Sequence, residues 1–261
     1  MNNGPPPEFA IEIEGLSRSF GQKWAVVNVD LRVPHGSFYG LLGPNGAGKS
    51  TTLSMMTGLL RPNSGTLSVA GVDVLADPVT LKQRIGVVPE TLLLFERLTG
   101  AELLEYVGLL RGLDRETIKE RATELLAVLD LVDAAGKLTV DYSQGMRKKI
   151  SLAAALIHAP KVLLLDEPFE SVDPVSVRTV KHVLRNLVSG GATVVFSSHV
   201  METVEDLCDH VTIMNHGQVV VSGGLDEIRA GRRLEQVFAE AVGADSTDTG
   251  QLGWLHEGPT R

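Results

Sequence analysis

Cysteine is almost missing from this chain of 261 residues. Cys208 stands alone, which excludes an internal disulfide framework and fits a reducing compartment. Long apolar runs are missing too. Val162–Leu165 and Thr91–Phe95 are among the longest, far short of the roughly 20 residues a helix needs to cross a bilayer. The N-terminus has neither a basic start nor an apolar stretch, so no signal peptide is expected. A positive balance is lacking: 24 Lys+Arg stand against 32 Asp+Glu, a formal charge of -8. That argues against a nucleic-acid partner. No internal repeat is visible, so a tandem pair of units is excluded. What remains is ordinary for a globular protein, with 43% hydrophobic and 21% charged residues. A chain this long forms one large or two small domains and buries most of its apolar surface without staples.

The apolar pattern alternates between two periods. Ile11 and Ile13 alternate with Glu12 and Glu14, and Val27, Val29, Leu31 and Val33 with polar neighbours, as in half-buried strands. Phe38–Leu42 is continuously apolar, the mark of a strand covered on both faces. Leu53, Met56 and Leu60 are spaced along one helix face, and Pro62–Gly65 reads as a turn. Helical spacing then dominates: Leu103 and Val107; Ile118, Ala122, Leu125 and Leu129; Met146, Ile150 and Ile157. Strands return at Val162–Leu165, at Thr193–Ser197 and in a hairpin over Val211–Val221, with a helix through Val177, Val180, Leu184 and Leu187. This order predicts an α/β sheet with parallel strands, interrupted by a helical subdomain over about 99–159. Residues 1–8 read as a loose tail, 9–230 as the main domain, and 231–261 as a weakly ordered extension.

The most specific motif is Gly43-Pro44-Asn45-Gly46-Ala47-Gly48-Lys49-Ser50, followed by Thr51. It matches GxxxxGK[ST] between an expected strand and an expected helix, where roughly 0.02 chance matches are expected in a chain of this composition. Glycines let backbone N–H groups turn inward around phosphate oxygens. The helix after Gly48 points its positive end at the same anion. Lys49 adds a cation for the β- and γ-phosphates, and the Ser50 hydroxyl suits Mg²⁺.

The strand Val162–Leu165 ends in Asp166-Glu167-Pro168. In an open parallel sheet, ligands bind at the carboxyl ends of strands. Asp166 is therefore expected to face the Mg²⁺ and Glu167 to take a proton from an attacking water. Thr193–Ser197 repeats the pattern, running on into Ser198-His199 at the same expected edge. His35, His158, His182, His210 and His216 lack such context and read as surface or packing residues.

Together these residues resemble the ATP-binding subunit of ABC transporters. The resemblance runs from about Phe9 to Ala230 and turns on Tyr142-Ser143-Gln144-Gly145-Met146, which stands before a helix where the family has LSGGQ. Tyr142, Gln144 and Met146 depart from that form, while Ser143 and Gly145 keep it. YSxGM is familiar from the exporter-type branch, also called ABC-2 or drug-resistance type. The resemblance implies a P-loop NTPase (RecA-like) α/β core with an antiparallel β subdomain and an inserted α-helical subdomain. It makes Phe20 the aromatic that stacks on adenine, His199 the switch histidine and Asp173 the D-loop aspartate. Glu90 stands where most members have the Q-loop glutamine, a possible Mg²⁺ ligand that adds negative charge. Arg147, Lys148 and Lys149 read either as a solvated helix face or, by the resemblance, as neighbours of the partner copy's nucleotide.

The expected function is an ATPase motor for a membrane transporter, with export favoured over import. ATP and Mg²⁺ are the expected ligands. A separate transmembrane permease and a second copy are the expected partners, at the cytoplasmic face of the membrane. In a head-to-tail dimer, Ser143, Gln144, Gly145 and Met146 would act on the other copy's ATP. A soluble ABC-type ATPase is the alternative. Translation-type members carry two such units, and DNA-repair members insert long coiled coils where in this chain Ser143 follows Lys49 by only 94 positions. Cluster assembly is not excluded by spacing. The apolar run after Glu90, through Leu93, Leu94 and Phe95, is expected either to pack into the helical subdomain or to receive a helix of the membrane subunit.

Overall fold

Residues 8–170 and 172–243 are described by the structure, a computed structural model. Most of the expected N-terminal tail, the end of the expected extension from 244 and Ser171 lie outside the described residues. The chain opens with β1 (Phe9–Phe20), β2 (Lys23–Pro34), β3 (Phe38–Leu42), α1 (Lys49–Met56), β4 (Ser64–Val69), β5 (Val72–Asp73), α2 (Pro78–Arg84) and β6 (Ile85–Val88). Three helices follow: α3 (Gly100–Leu110), α4 (Arg115–Val128) and α5 (Gln144–Leu156). The chain then returns to alternation through β7 (Val162–Leu165), α6 (Pro174–Ser189), β8 (Thr193–Ser198), α7 (Met201–Leu207), β9 (His210–Asn215) and β10 (Gln218–Gly224). It closes on α8 (Leu225–Arg229) and α9 (Leu234–Val242).

The strands form two sheets. One is antiparallel, in the order β2-β1-β4-β5. The other has the order β10-β9-β3-β8-β7-β6 and is parallel except for the β9–β10 hairpin. This is a P-loop NTPase α/β core with an antiparallel β subdomain and inserted helices. Side-chain alternation explains the layering. Tyr39 and Leu41 of β3, Val162 and Leu164 of β7, and Val195 of β8 join a core shared with the antiparallel sheet and α1. Their neighbours Phe38, Leu42, Leu163, Leu165, Val194 and Phe196 face the opposite way, into a core with α5, α6 and α7. A strand buried on both faces needs apolar residues at every position, which is why β3 and β7 read as continuous runs.

Local sequence sets the helix starts. Thr99 and Glu102 close a capping box at α3. Asp114 caps α4, and Asp173 caps α6 ahead of Pro174, a residue suited to the first helical position.

Three expectations need correction here. Leu60 is not on the helix with Leu53 and Met56: α1 ends at Met56, and Gly58 at φ +73° turns the chain away. The turn at Pro62 ends at Asn63, because Ser64 already pairs with Ser17 in the antiparallel sheet. The extension is not weakly ordered over its first part. Residues 234–242 form α9, which buries Leu234 and Val237, and Leu234 N–H donates to Glu205 Oε1 at 2.8 Å. Amphipathic packing onto a finished domain stabilises a helix too short to persist alone.

Candidate functional site

Four strand ends converge. The loop after β3 carries the glycine-rich motif, β6 leads to Glu90, β7 ends at Asp166 and Glu167, and β8 leads to His199. They share the carboxyl edge of the parallel sheet, where the outward-turning loops leave a crevice. The resulting cavity, about 540 Å³, is lined by Asn45, Gly46, Ala47, Gly48, Lys49, Ser50 and Thr51 from the loop and α1. Glu90, Glu167, Glu170 and His199 line it from the other strand ends, and Phe20, Lys23, Trp24 and Ala25 from the β1–β2 hairpin.

The loop's glycines serve different needs. A Cβ on Gly43 would sit 2.4 Å from Met214 O, and one on Gly48 2.6 Å from Ala25 O. Gly46, at φ +82°, has open space around it and is needed for its backbone angle alone. Ala47 O accepts from Gly217 N–H at 3.0 Å, so the β9–β10 turn braces the loop. No side chain caps the first turn of α1 and no acidic residue lies there, which leaves its N–H groups for an anion.

Lys49 is buried, its Nζ donating to Gly43 O at 2.7 Å and standing 3.7 Å from Glu167 Oε1. The other Glu167 oxygen lies 3.0 Å from His199 Nδ1. Asp166 Oδ1 accepts from Ser50 Oγ at 3.1 Å and from Ser197 Oγ at 2.5 Å. Ser50 and Asp166 thus present hard oxygens side by side, the donor type Mg²⁺ prefers. Among the described residues there is no group of three or more His, Cys, Asp or Glu side chains that could hold a metal alone. That suits an ion completed by phosphate oxygens and water. Glu90 is exposed and lines the cavity wall.

Phe20 is 51% exposed at the cavity mouth, with the Arg18 guanidinium 4.9 Å from its ring centre. Ser143, Gln144, Gly145 and Met146 are not part of this cavity. Ser143 caps α5, accepting from Met146 N–H at 3.3 Å, and both Ser143 and Gln144 are exposed. Asp173 lies beside them: a Cβ on Gly145 would be 3.2 Å from its Oδ2. Bonds from Ser176 and Val175 hold the Asp173 carboxyl below the usual aspartate range. One chain therefore carries two separate surfaces, the cavity around the glycine-rich loop and a helix start with Ser143 and Gln144 exposed.

Two of the three basic residues after Met146 depart from both expectations, while Arg147 stays half-buried. Lys148 and Lys149 are buried, so they are neither a solvated face nor free to meet another copy's nucleotide. Lys148 Nζ donates to Glu167 O at 2.7 Å, Lys149 Nζ stands 3.8 Å from Asp130 Oδ2, and Arg147 is 3.7 Å from Glu96. Burial pulls the Lys148 ammonium below the ordinary lysine value, opposed by Glu170, Glu167, Glu90 and Asp166. Sequence reasoning also passed over Ser197, Glu170, Lys23 and Trp24. The polar end of β8 was the one signal for Ser197. Residues near a known aromatic at a hairpin tip were the signal for Lys23 and Trp24.

The sequence model of a family described as ABC transporter matches residues 26–170. A daunorubicin resistance ATP-binding protein of Streptomyces coeruleorubidus is 39% identical over 247 residues, 94% of this chain and 76% of that protein. A daunorubicin/doxorubicin resistance ATP-binding protein of Streptomyces peucetius is 40% identical over 224 residues, 86% of this chain and 68% of that one. A solved ATP-binding subunit of an ABC transporter superposes with a TM-score of 0.84 at 30% identity, covering 89% of this chain and 99% of that one.

Proposed function

This chain belongs to the ABC transporter family of ATP-binding proteins, and from that premise we propose that it is the ATP-hydrolysing motor subunit of a drug-resistance-type exporter. The observation that carries the reading is the convergence of Lys49, Ser50, Glu167 and His199 on one cavity at the carboxyl edge of the sheet, with Asp166 bonded to Ser50 beside it.

The loop N–H groups and the first turn of α1 bind the phosphates, and Lys49 turns its ammonium to the β- and γ-oxygens. Phe20 takes the adenine against its exposed face. Mg²⁺, held by Ser50 with Asp166 and Glu90 nearby, would neutralise charge on the phosphates. Glu167 accepts the proton of the attacking water. His199, 3.0 Å from its carboxylate, holds that oxygen in place and faces the γ-phosphate. The Ser143–Gly145 segment, with Ser143 and Gln144 exposed, serves the nucleotide of a second copy, closing each site across a twofold axis. ATP binding favours the closed pair, and hydrolysis reopens it.

Glu90 separates a metal ligand from a bystander. Glu90→Gln is expected to change the Mg²⁺ dependence of hydrolysis only modestly, since an amide oxygen still coordinates. Glu90→Ala is expected to raise the Mg²⁺ requirement by about tenfold, the loss of a ligand worth about 1.4 kcal/mol. A Mg²⁺ titration of phosphate release gives the answer. Identical parental behaviour of both variants removes Glu90 from the site.

No helix among the described residues is long and apolar enough to cross a membrane, so the motor reading requires a membrane partner. Its docking surface lies after Glu90. Leu94 packs partly into the core, so it is withdrawn from the expected contact surface. Leu93 is 88% exposed, and Phe95, half exposed, sets its ring edge-on to Tyr106 of α3 at 4.9 Å. An amphipathic helix of the permease fits such apolar side chains. Leu93→Glu and Phe95→Glu are expected to leave ATP binding intact and to abolish co-purification with the membrane protein. Loss of ATP binding in both would make these residues structural and overturn the docking assignment.

A further inference from the structure

Among the described residues, Lys148 is a buried cation that touches Glu167 from outside the glycine-rich loop. It lies in the second turn of α5, 8% exposed, and lines a small cavity with Val88, Leu152, Leu165, Pro168 and Val180. Its ammonium does not point at the cavity occupied by Lys49. It donates instead to the main-chain oxygen of Glu167 at 2.7 Å.

That oxygen belongs to an unusual residue. Glu167 has φ +45°, in the left-handed region where a side chain with Cβ is strained. Such a conformation persists only when its surroundings over-determine it. Two bonds do so from opposite sides of the α-carbon. Ser197 Oγ accepts from Glu167 N–H at 2.8 Å, and Lys148 holds the carbonyl. One residue earlier, Asp166 N–H donates to Val88 O at 2.9 Å, so the strand end is anchored up to this point. With both peptide groups of Glu167 fixed, its carboxylate is delivered between Lys49 and His199.

A neutral donor could satisfy a carbonyl. An ammonium makes a stronger, charge-assisted bond, at the expense of burying a cation. Here that charge faces Glu170, Glu167, Glu90 and Asp166, which offset part of the expense. We propose that Lys148 is a positioning residue for ATP hydrolysis, holding the Glu167 main chain in the left-handed conformation that aims its carboxylate at the attacking water. The proposal rests on the reading of Glu167 as the proton acceptor. It predicts a defect in turnover and not in nucleotide binding, because Lys148 does not line the phosphate cavity.

The experiment uses the full chain with Mg²⁺ and ATP. Lys148→Met keeps an unbranched apolar stem and removes the donor. Lys148→Gln has the same number of side-chain bonds along its length as the methionine, one fewer than lysine, and keeps an N–H donor. For the methionine variant, kcat is expected to fall by about 10- to 100-fold, the range a displacement of about 1 Å at a reacting group produces. KM for ATP and the ATP dissociation constant are expected to stay within about twofold of the parent. The glutamine variant is expected to recover most of kcat. Three results overturn the proposal: parental kcat in Lys148→Met, a KM rise that matches the kcat loss, or a glutamine variant as slow as the methionine one. If Lys148→Met does not fold, Lys148→Leu replaces it under the same criteria. A parent chain that binds but does not hydrolyse ATP would instead defeat the ATPase reading itself, whatever the variants do.

Discussion

Glu167→Gln is expected to bind ATP with parental affinity while steady-state phosphate release falls by about 10²–10⁴-fold, the usual contribution of a positioned general base. The amide retains the shape of the side chain, and the main-chain bonds to Ser197 and Lys148 do not involve it. The left-handed conformation therefore survives the exchange, and the loss isolates proton transfer from positioning. The charge change works in a second direction. The carboxylate stands 3.7 Å from Lys49, so removing it frees the ammonium for phosphate oxygens and does not weaken ATP binding. With hydrolysis blocked, Mg²⁺ and ATP should drive the variant into a stable dimer, seen as a doubled mass by size exclusion with light scattering. Hydrolysis at the parental rate would place the base elsewhere.

Lys49→Ala has the largest expected effect on binding. A charged donor to phosphate contributes about 1.5–3 kcal/mol per bond. Lys49 is positioned for both the β- and γ-phosphates, so affinity should drop by about 10²-fold or more. Titration calorimetry with ATP and Mg²⁺ reads this directly. Unfolding is the competing explanation, and magnitude separates the two. The exchange leaves Gly43 O without its 2.7 Å donor, a cost of about 1–3 kcal/mol for a buried acceptor. That lowers Tm by about 2–12 °C in a chain of this size, so the protein stays folded at assay temperature. Unchanged affinity in the folded variant would sink the assignment of the phosphate loop.

The two variants also report on separate halves of the site. Lys49 and Ser50 come from a contiguous motif whose spacing is dictated by a tight loop feeding a helix. Glu167 and His199, 32 residues apart in sequence, follow two strands that lie side by side through the β7–β8 pairing. Each half was recognisable because its chemistry is written locally, as glycines around a lysine or as an apolar strand ending in carboxylates. The hidden members are those whose partners are remote. Lys148 sits in a run of three basic residues that any exposed helix could carry. Only the packing of α5 against β6 and its neighbouring helices turns it inward, toward a carbonyl 19 residues further along the chain. Ser197 resembles any serine at a strand end until the sheet register sets it against Asp166.

The apolar run after Glu90 makes the same distinction on a smaller scale. Hydrophobicity alone could not divide Leu93 from Leu94, since both are leucines in one loop. The path of the backbone sends Leu94 into the core and Leu93 into solvent. At the chain's other end, α9 forms because Glu205 meets the Leu234 amide and the domain offers an apolar surface for Leu234 and Val237.

By itself the sequence determined the parallel α/β core, the place of the glycine-rich loop and of the acidic strand end, and the family. These depend on periodicity and on residues adjacent in the chain, where backbone geometry maps spacing directly onto shape. Only the tertiary structure decided which charges are buried, which carbonyl Lys148 holds, which leucine faces outward and where the C-terminal helix rests. Those outcomes depend on contacts between segments far apart in sequence, and desolvation assigns a charge its role only after the fold has placed its neighbours.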